Sequence, residues 1–202
     1  MPTMNLFPTP LWLNQLEPAE FEPLNRDLLN FFETIRREEG FEHGARWQTP
    51  NNLQKRQEMG PFLDVARRFC LQSLEQLNVE NRSFVFTGCW ANIKPHGATH
   101  GGHTHPNNYL SGVYYVTAPA KCGAIVFQDP RNEPYIVAPL PTGPNVFNSR
   151  FVNFEPRVGM LLLFPSWLMH SVEPNQADSD RISISFNMMF SDFVESIAVP
   201  GW

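Results

Sequence analysis

Four of the six histidines in this chain, His96, His100, His103 and His105, fall within ten residues of one another. Neutral imidazole is the commonest metal-binding side chain near pH 7. Side chains repeat direction every two residues on extended backbone, so His103 and His105, separated only by Thr104, can present both rings to one ion. A third ligand has to come from elsewhere. His170 follows a strand-like Leu163-Phe164 and a Pro165 turn, far enough along the chain for several strands to bring it back. Three imidazoles describe an iron or a zinc site equally well. Taken alone, His103 and His105 also read as surface residues of a Gly-rich loop, and His96 and His100 are expected on the solvated loop entering the site.

The second cue is Asp180-Arg181-Ile182-Ser183-Ile184-Ser185-Phe186-Asn187. Strand alternation places Arg181, Ser183, Ser185 and Asn187 on one face, with Ile182, Ile184 and Phe186 on the other. An inward-facing Arg requires an anion or a carboxylate partner, for which Asp129 and Asp180 are candidates within the chain. Its planar fork suits two-point capture of a carboxylate, with the Ser183 hydroxyl as a further donor.

The elements that must position these groups follow from periodicity. A length of 202 residues supports one domain with a sizeable core, and 42% hydrophobic residues against 17% charged indicate a globular chain. Seventeen phenylalanines and five tryptophans point to a large aromatic core. The net charge of −5, with no basic run, argues against a nucleic-acid partner. No apolar run is long enough to span a membrane. Cys70, Cys89 and Cys122 are widely spaced and odd in number, as expected of reduced core thiols in a cytoplasmic protein. The opening MPTMNLFPTPLWLNQ lacks the pattern of a signal peptide and reads as an extended edge segment.

Pro18 opens a helix whose stripe of Phe21, Leu24, Leu28, Phe31, Phe32 and Ile35 runs up to Gly40. Residues 40–57 read as irregular, with His43 an ordinary surface residue, and a second helix runs from about Gly60 to Leu77. From residue 82 the period changes to two. Strands are expected at Ser83–Ile93, Leu110–Thr117, Ala124–Gln128, Ile136–Ala138, Val146–Val152, Met160–Phe164, Met169–Val172 and Ile182–Met189. Two helices followed by about eight strands give an α+β layout, with the helices backing one face of a mainly antiparallel sandwich or barrel.

His103-Thr104-His105-Pro106, Ser111-Gly112-Val113-Tyr114-Tyr115, Phe164-Pro165-Ser166-Trp167-Leu168-Met169-His170 and Arg181-Ile182-Ser183 occur in the order seen in one family. The chain resembles the Fe(II)- and 2-oxoglutarate-dependent oxygenases, in the prolyl-hydroxylase-like branch that carries H-x-H-P, S-G-V-Y-Y and F-P-S-x-x-x-H. The likeness extends to Leu6-Phe7-Pro8-Thr9-Pro10-Leu11-Trp12 and to Trp47-Gln48-Thr49. It implies a double-stranded β-helix (a jelly roll, cupin-like) with the N-terminal helices packed on the major sheet. One domain would span 1–202, with helical support in 1–80 and the jelly roll in 81–190. The cofactors implied are Fe(II), held by His103, His105 and His170, and 2-oxoglutarate. Arg181, Ser183 and Tyr115 would bind the far carboxylate of 2-oxoglutarate, Asn92 would lie near its metal-bound end, and Tyr114 would face the packing. The implied reaction is hydroxylation of a small-molecule or peptide substrate with release of succinate and CO2. Arg131 and Asn108 are candidate substrate contacts on loops near the mouth, and Trp167 is expected in the core or at the rim.

His105 departs from the family pattern, which has Asp or Glu there. Three neutral ligands leave the metal its full charge, which the 2-oxoglutarate dianion can balance; a carboxylate from Asp129 is the other source. Two alternatives stay open. One is a trihistidine dioxygenase that needs no 2-oxoglutarate, and the other a non-catalytic cupin-like module that binds a metal or a small acid. The N-terminal segment and the tail Val199-Pro200-Gly201-Trp202 are candidate homodimer contacts.

Overall fold

The computed structural model describes residues 1–193 apart from 43–44, 81–82, 132–135, 138 and 146. His43 and the 199–202 tail therefore lie outside the described residues. Ten strands and two long helices are laid out in chain order: β1 (Trp12–Gln15), α1 (Pro18–Glu39), β2 (Trp47–Gln48), α2 (Gly60–Gln76), β3 (Phe84–Lys94), β4 (His100–His103), β5 (Leu110–Thr117), β6 (Ile125–Gln128), β7 (Phe151–Phe154), β8 (Met160–Pro165), β9 (His170–Val172) and β10 (Arg181–Phe190).

Helix α1 begins on Pro18, where the missing amide costs nothing, and ends on Gly40 in the left-handed conformation at φ 73°. Arg36 and Arg37 complement the carbonyl-rich last turn, and Glu33 pairs with both. Its buried stripe is Asn25, Leu28, Phe31, Phe32 and Ile35; that of α2 is Phe62, Ala66, Phe69, Cys70, Ser73 and Leu74.

The strands form two antiparallel sheets. The larger runs β1-β8-β5-β10-β3-β2 and the smaller β4-β9-β6-β7. Both helices pack on the larger sheet, and their apolar stripes join Leu110, Tyr114, Val116, Leu161, Ile184 and Phe186 in one core. The opposite face of that sheet contributes Val113, Tyr115, Met160, Leu162 and Phe164. These meet Ile125 and Phe127 of the smaller sheet in a second core. Alternation therefore sends Tyr114 to the helices and Tyr115 between the sheets. Gly112 sits where any side chain would collide with the Phe186 ring, since an added Cβ would lie 2.2 Å from it. All three cysteines are buried and unpaired. Among the described residues, no helix is long and apolar enough to cross a membrane.

Several boundaries differ from the sequence expectation. Ile136 and Val137 lie in an exposed turn rather than a strand, and Ala138 is outside the described residues. The Pro and Gly residues that surround that stretch interrupt it before a ladder can form. Of the segment expected at Val146–Val152, Val146 lies outside the described residues and the rest is strand only from Phe151, the Asn145 and Asn148 side chains holding a turn before it. Two short strands come from stretches with no strand pattern: β2, from a polar segment, and β4, from His-Gly-Gly-His. Both exist through pairing with a neighbouring strand, β3 for β2 and β9 for β4, which propensity does not register.

The Tyr114 hydroxyl donates to Asn25 Oδ1 at 2.7 Å, and Asn25 Nδ2 donates to the Val116 carbonyl at 3.0 Å, tying α1 to β5 inside the core. Tyr114→Phe leaves a buried amide oxygen without a donor. It is expected to lower unfolding stability in urea by about 1–3 kcal/mol, while ligand binding at the opposite face of β5 is unchanged.

Candidate metal and cosubstrate site

The larger sheet supplies the floor of a cavity through its three central strands. Register sets the residues in rungs: Trp90, Ser185 and Val113; then Asn92, Ser183 and Tyr115; then Lys94 and Arg181. All of these line the cavity. One end of the floor is aromatic and apolar, the middle polar and the far end cationic.

The smaller sheet supplies the roof. His103 on β4 stands opposite His170 on β9 in the antiparallel register. His105 follows two residues on, and its backbone amide donates to the Ser166 carbonyl at 2.9 Å. Ser166 is held in turn by a buried chain, its hydroxyl 2.8 Å from that of Ser111, which donates to Asn187 Oδ1. That network fixes the turn from which His105 hangs. The ligand nitrogens of His103, His105 and His170 all lie within 4.8 Å of one another.

Two of the three rings are set for coordination by a backbone carbonyl. Nδ1 of His103 donates to Gly101 O at 2.8 Å, and Nδ1 of His170 donates to Leu168 O at 2.9 Å. A carbonyl only accepts, so the proton sits on Nδ1 and Nε2 keeps its lone pair for a metal. Burial holds His170 down at about 3, with the neighbouring histidines adding to the effect against its Leu168 hydrogen bond. Burial, then His103 and His100, holds His105 down at about 4. These two rings are therefore neutral at pH 7 and need lose no proton to bind a cation. Phe164 and Phe127 pack against His170, and Trp90 lies 5.8 Å from His105.

His100 differs from its expected place on a solvated loop. It lies on β4, half-buried, with its ring stacked on His103 at a centroid distance of 4.2 Å. The register shifts between His100 and His103, so two residues that regular alternation would send to opposite faces share one. Gly101 and Gly102 permit that irregularity. His96 is exposed and hydrogen-bonds the Ala177 carbonyl.

At the cationic end, Arg181 is 2% exposed and has no carboxylate partner among the described residues. Its Nη1 donates to the carbonyls of Cys122 and Gly123 at 2.5 and 3.2 Å, which leaves Nε and Nη2 uncommitted. Asp129 instead holds Arg131, and Asp180 offers its backbone carbonyl to Thr117. Asn92 and Ser185 hydrogen-bond at 3.2 Å, and the Asn92 Oδ1 is buried with no donor. Among the described residues no Asp or Glu lines the cavity.

The expected cosubstrate residues Arg181, Ser183, Tyr115 and Asn92 are thus brought together in one cavity with the three histidines. Arg131 and Asn108 are not. Arg131 folds onto Asp129, and Asn108 clamps its own loop, accepting from Thr87 and donating to the Pro106 carbonyl. Trp167 is 55% exposed, at the surface rather than in the core. Asp129 does not join the histidine cluster. Sequence reasoning missed Lys94 and Trp90. Both follow from the alternation already applied to the Arg181 strand, since Asn92 places Trp90 and Lys94 on the same face.

A divalent cation and a chelating dicarboxylate both fit these residues. The histidines offer three neutral lone pairs, and the buried guanidinium and orphaned amide oxygen mark places where a ligand group is wanted.

Comparison with known proteins agrees with this geometry. A family model described as "Putative 2OG-Fe(II) oxygenase" matches residues 88–187, the span from the Asn92 strand to the Arg181 strand. No curated protein matches the sequence. Among solved structures, HygX from Streptomyces hygroscopicus, with nickel and 2-oxoglutarate bound, superposes with a TM-score of 0.62 at 11% identity, over 91% of this chain and 83% of that one. A prolyl-4-hydroxylase from Pseudomonas putida gives 0.60 at 16% identity, over 90% and 93%. AviO1 from Streptomyces viridochromogenes Tue57 gives 0.60 at 16% identity, over 91% and 90%. At such identities the likeness is one of fold, and it is that of the double-stranded β-helix. Over residues 88–187, which carry the site strands, the chain matches the 2OG-Fe(II) oxygenase family, and its fold is that of the double-stranded β-helix enzymes.

Proposed function

We propose that this protein is an Fe(II)- and 2-oxoglutarate-dependent hydroxylase, with His103, His105 and His170 as metal ligands. The observation that carries the reading is the pairing, within one cavity, of a neutral trihistidine roof with an acid-free cationic end. Solved relatives of the same fold support it, HygX with nickel and 2-oxoglutarate bound and the epimerase SnoN with Fe3+ and α-ketoglutarate. When bound, iron and 2-oxoglutarate supply the oxidising power, drawn from dioxygen with release of succinate and CO2.

The chain's own part is binding, orientation and exclusion of water. Arg181 grips the far carboxylate of 2-oxoglutarate with its two uncommitted nitrogens, and the Tyr115 and Ser183 hydroxyls lie beside it as further donors. Neither hydroxyl has a hydrogen-bond partner among the described residues, so both are free to donate. Asn92 shares the rung of Ser183 and Tyr115, one rung from Arg181 toward Trp90, where the other end of the cosubstrate would lie. Val113, Ile125, Phe164 and Val172 line the remainder and keep it apolar. The substrate is a small molecule or a peptide segment, in keeping with a net charge of −5 and no basic run. Three buried free thiols suit a reducing, cytoplasmic setting.

His105 favours one second reading, a trihistidine dioxygenase that binds its substrate directly and does without 2-oxoglutarate. Anaerobic reconstitution separates the two. A weak visible absorption band is expected only when Fe(II) and 2-oxoglutarate are both present. Arg181→Ala raises the 2-oxoglutarate concentration needed for that band by about a hundredfold, in line with the loss of a buried charge-assisted pair, and His170→Ala abolishes iron binding. Dioxygen uptake that is indifferent to 2-oxoglutarate selects the second reading instead.

The histidines also set an acid limit. Their folded-state values lie below the ordinary value of 6.5, at about 3 for His170 and about 4 for His105 and His100, with burial as the largest cause in each. As pH falls below 6.5 the unfolded chain takes up protons that the folded chain refuses, so stability is lost progressively down to about pH 4. Thermal melts of the metal-free protein are expected to drop by roughly 5–10 °C between pH 7 and pH 5. The triple variant His100→Gln, His105→Gln, His170→Gln is expected to flatten that dependence.

A further inference from the structure

Lys94 ends strand β3 at the register position directly opposite Arg181. It is 3% exposed and lines the same cavity. Among the described residues its ammonium has neither an ion pair nor a hydrogen bond. Arg181, across the rung, has only the Cys122 and Gly123 carbonyls. Two like charges thus face each other in a buried place that contains no carboxylate among the described residues. Each would carry a desolvation cost of several kcal/mol if nothing opposed it. Burial, with Arg46 and Arg181 adding repulsion, has moved Lys94 down to about 8, so it is still largely protonated at pH 7. Tyr115 and Ser183 complete the surroundings with hydroxyls that have no hydrogen-bond partner among the described residues.

An arrangement of two cations and two free hydroxyl donors is the complement of one carboxylate group. A single Arg would suffice for a monovalent far end in most geometries. The second cation makes the subsite bind its anion from two sides and reject a neutral or apolar group in its place. We infer that Lys94 and Arg181 together form the subsite for the far carboxylate of the cosubstrate, and that Lys94 makes the site specific for a dicarboxylate over a monocarboxylate 2-oxo acid. This inference rests on the cosubstrate reading above. It adds a residue that neither the motif resemblance nor the alternation of the Arg181 strand identifies. It also gives His105 a context, since the roof contributes no negative charge and both charges of the dicarboxylate are answered by the metal and by these two side chains.

The test compares two 2-oxo acids that share the chelating end and differ at the far end. Zinc-loaded protein, which cannot turn over, is titrated calorimetrically with 2-oxoglutarate and with 2-oxobutyrate. Lys94→Met is expected to weaken 2-oxoglutarate binding by about tenfold or more, and to leave 2-oxobutyrate binding unchanged. Lys94→Arg, which keeps the charge, stays within a few-fold of the parent. Melting of the ligand-free protein supplies a second readout. Lys94→Met removes one of two facing charges and is expected to raise Tm, whereas a merely structural lysine would lower it. Equal weakening of both ligands by Lys94→Met, or no weakening of either, overturns the role of Lys94 while leaving the cosubstrate reading intact. If the parent protein binds neither acid, the cosubstrate reading fails and this inference falls with it.

Discussion

The structure depends on the alternation of the three central strands of the larger sheet. β3, β10 and β5 must each present an apolar edge to the helices and a polar one to the cavity, residue by residue. In β10, Ile184 and Phe186 go to the helix core while Arg181, Ser183 and Ser185 go to the cavity floor. In β5 the neighbours Tyr114 and Tyr115 make the same division. The helices are needed because one face is greasy, and the smaller sheet closes over the other. A sheet with two such different faces cannot stand without both covers.

The metal end relies on hydrogen bonds rather than on charge. Backbone carbonyls of Gly101 and Leu168 choose the tautomers of His103 and His170, and the Ser166–Ser111–Asn187 chain sets the turn beneath His105. The cationic end relies on charge rather than on hydrogen bonds, because Lys94 and most of Arg181 lack partners among the described residues. The cavity is therefore polarised along its length, a property that orients any ligand with distinct ends. A dicarboxylate with a chelating 2-oxo group is such a ligand.

Much of this was legible in the residues. The helices were readable from their apolar stripes, α1 between Pro18 and Gly40, and β5 and β10 from β-branched and aromatic residues, with β8 from a short continuous apolar run. The three metal ligands followed from an H-x-H pair and a single distant histidine. What escaped was structure made by context. β2 and β4 are strands only because β3 and β9 pair with them. The stacking of His100 on His103 depends on a break in register at two glycines, which no periodicity announces. Lys94 was missed for a different reason. It sits at the end of a strand before Pro95, where a lysine normally marks a solvent-facing edge, although alternation from Asn92 places it on the cavity face and the register sets it opposite Arg181.

The shared use of β10 by core and site has a consequence for how this chain can change over time. Because side-chain direction flips at every residue, losing or gaining one residue between Arg181 and Phe186 would invert one end of the strand against the other, carrying either the guanidinium into the aromatic core or a phenylalanine into the cavity. Substitutions along that strand can accumulate one by one, but length cannot drift there at all. The irregularity beside Asn187 falls in the neighbouring β3, where Thr87 is the extra residue, and Met188 still joins Ile184 and Phe186 in the helix core. Length variation among descendants of this sequence should therefore fall in the connections, above all the long one between β6 and β7, and leave the stretch from Arg181 to Asn187 uninterrupted.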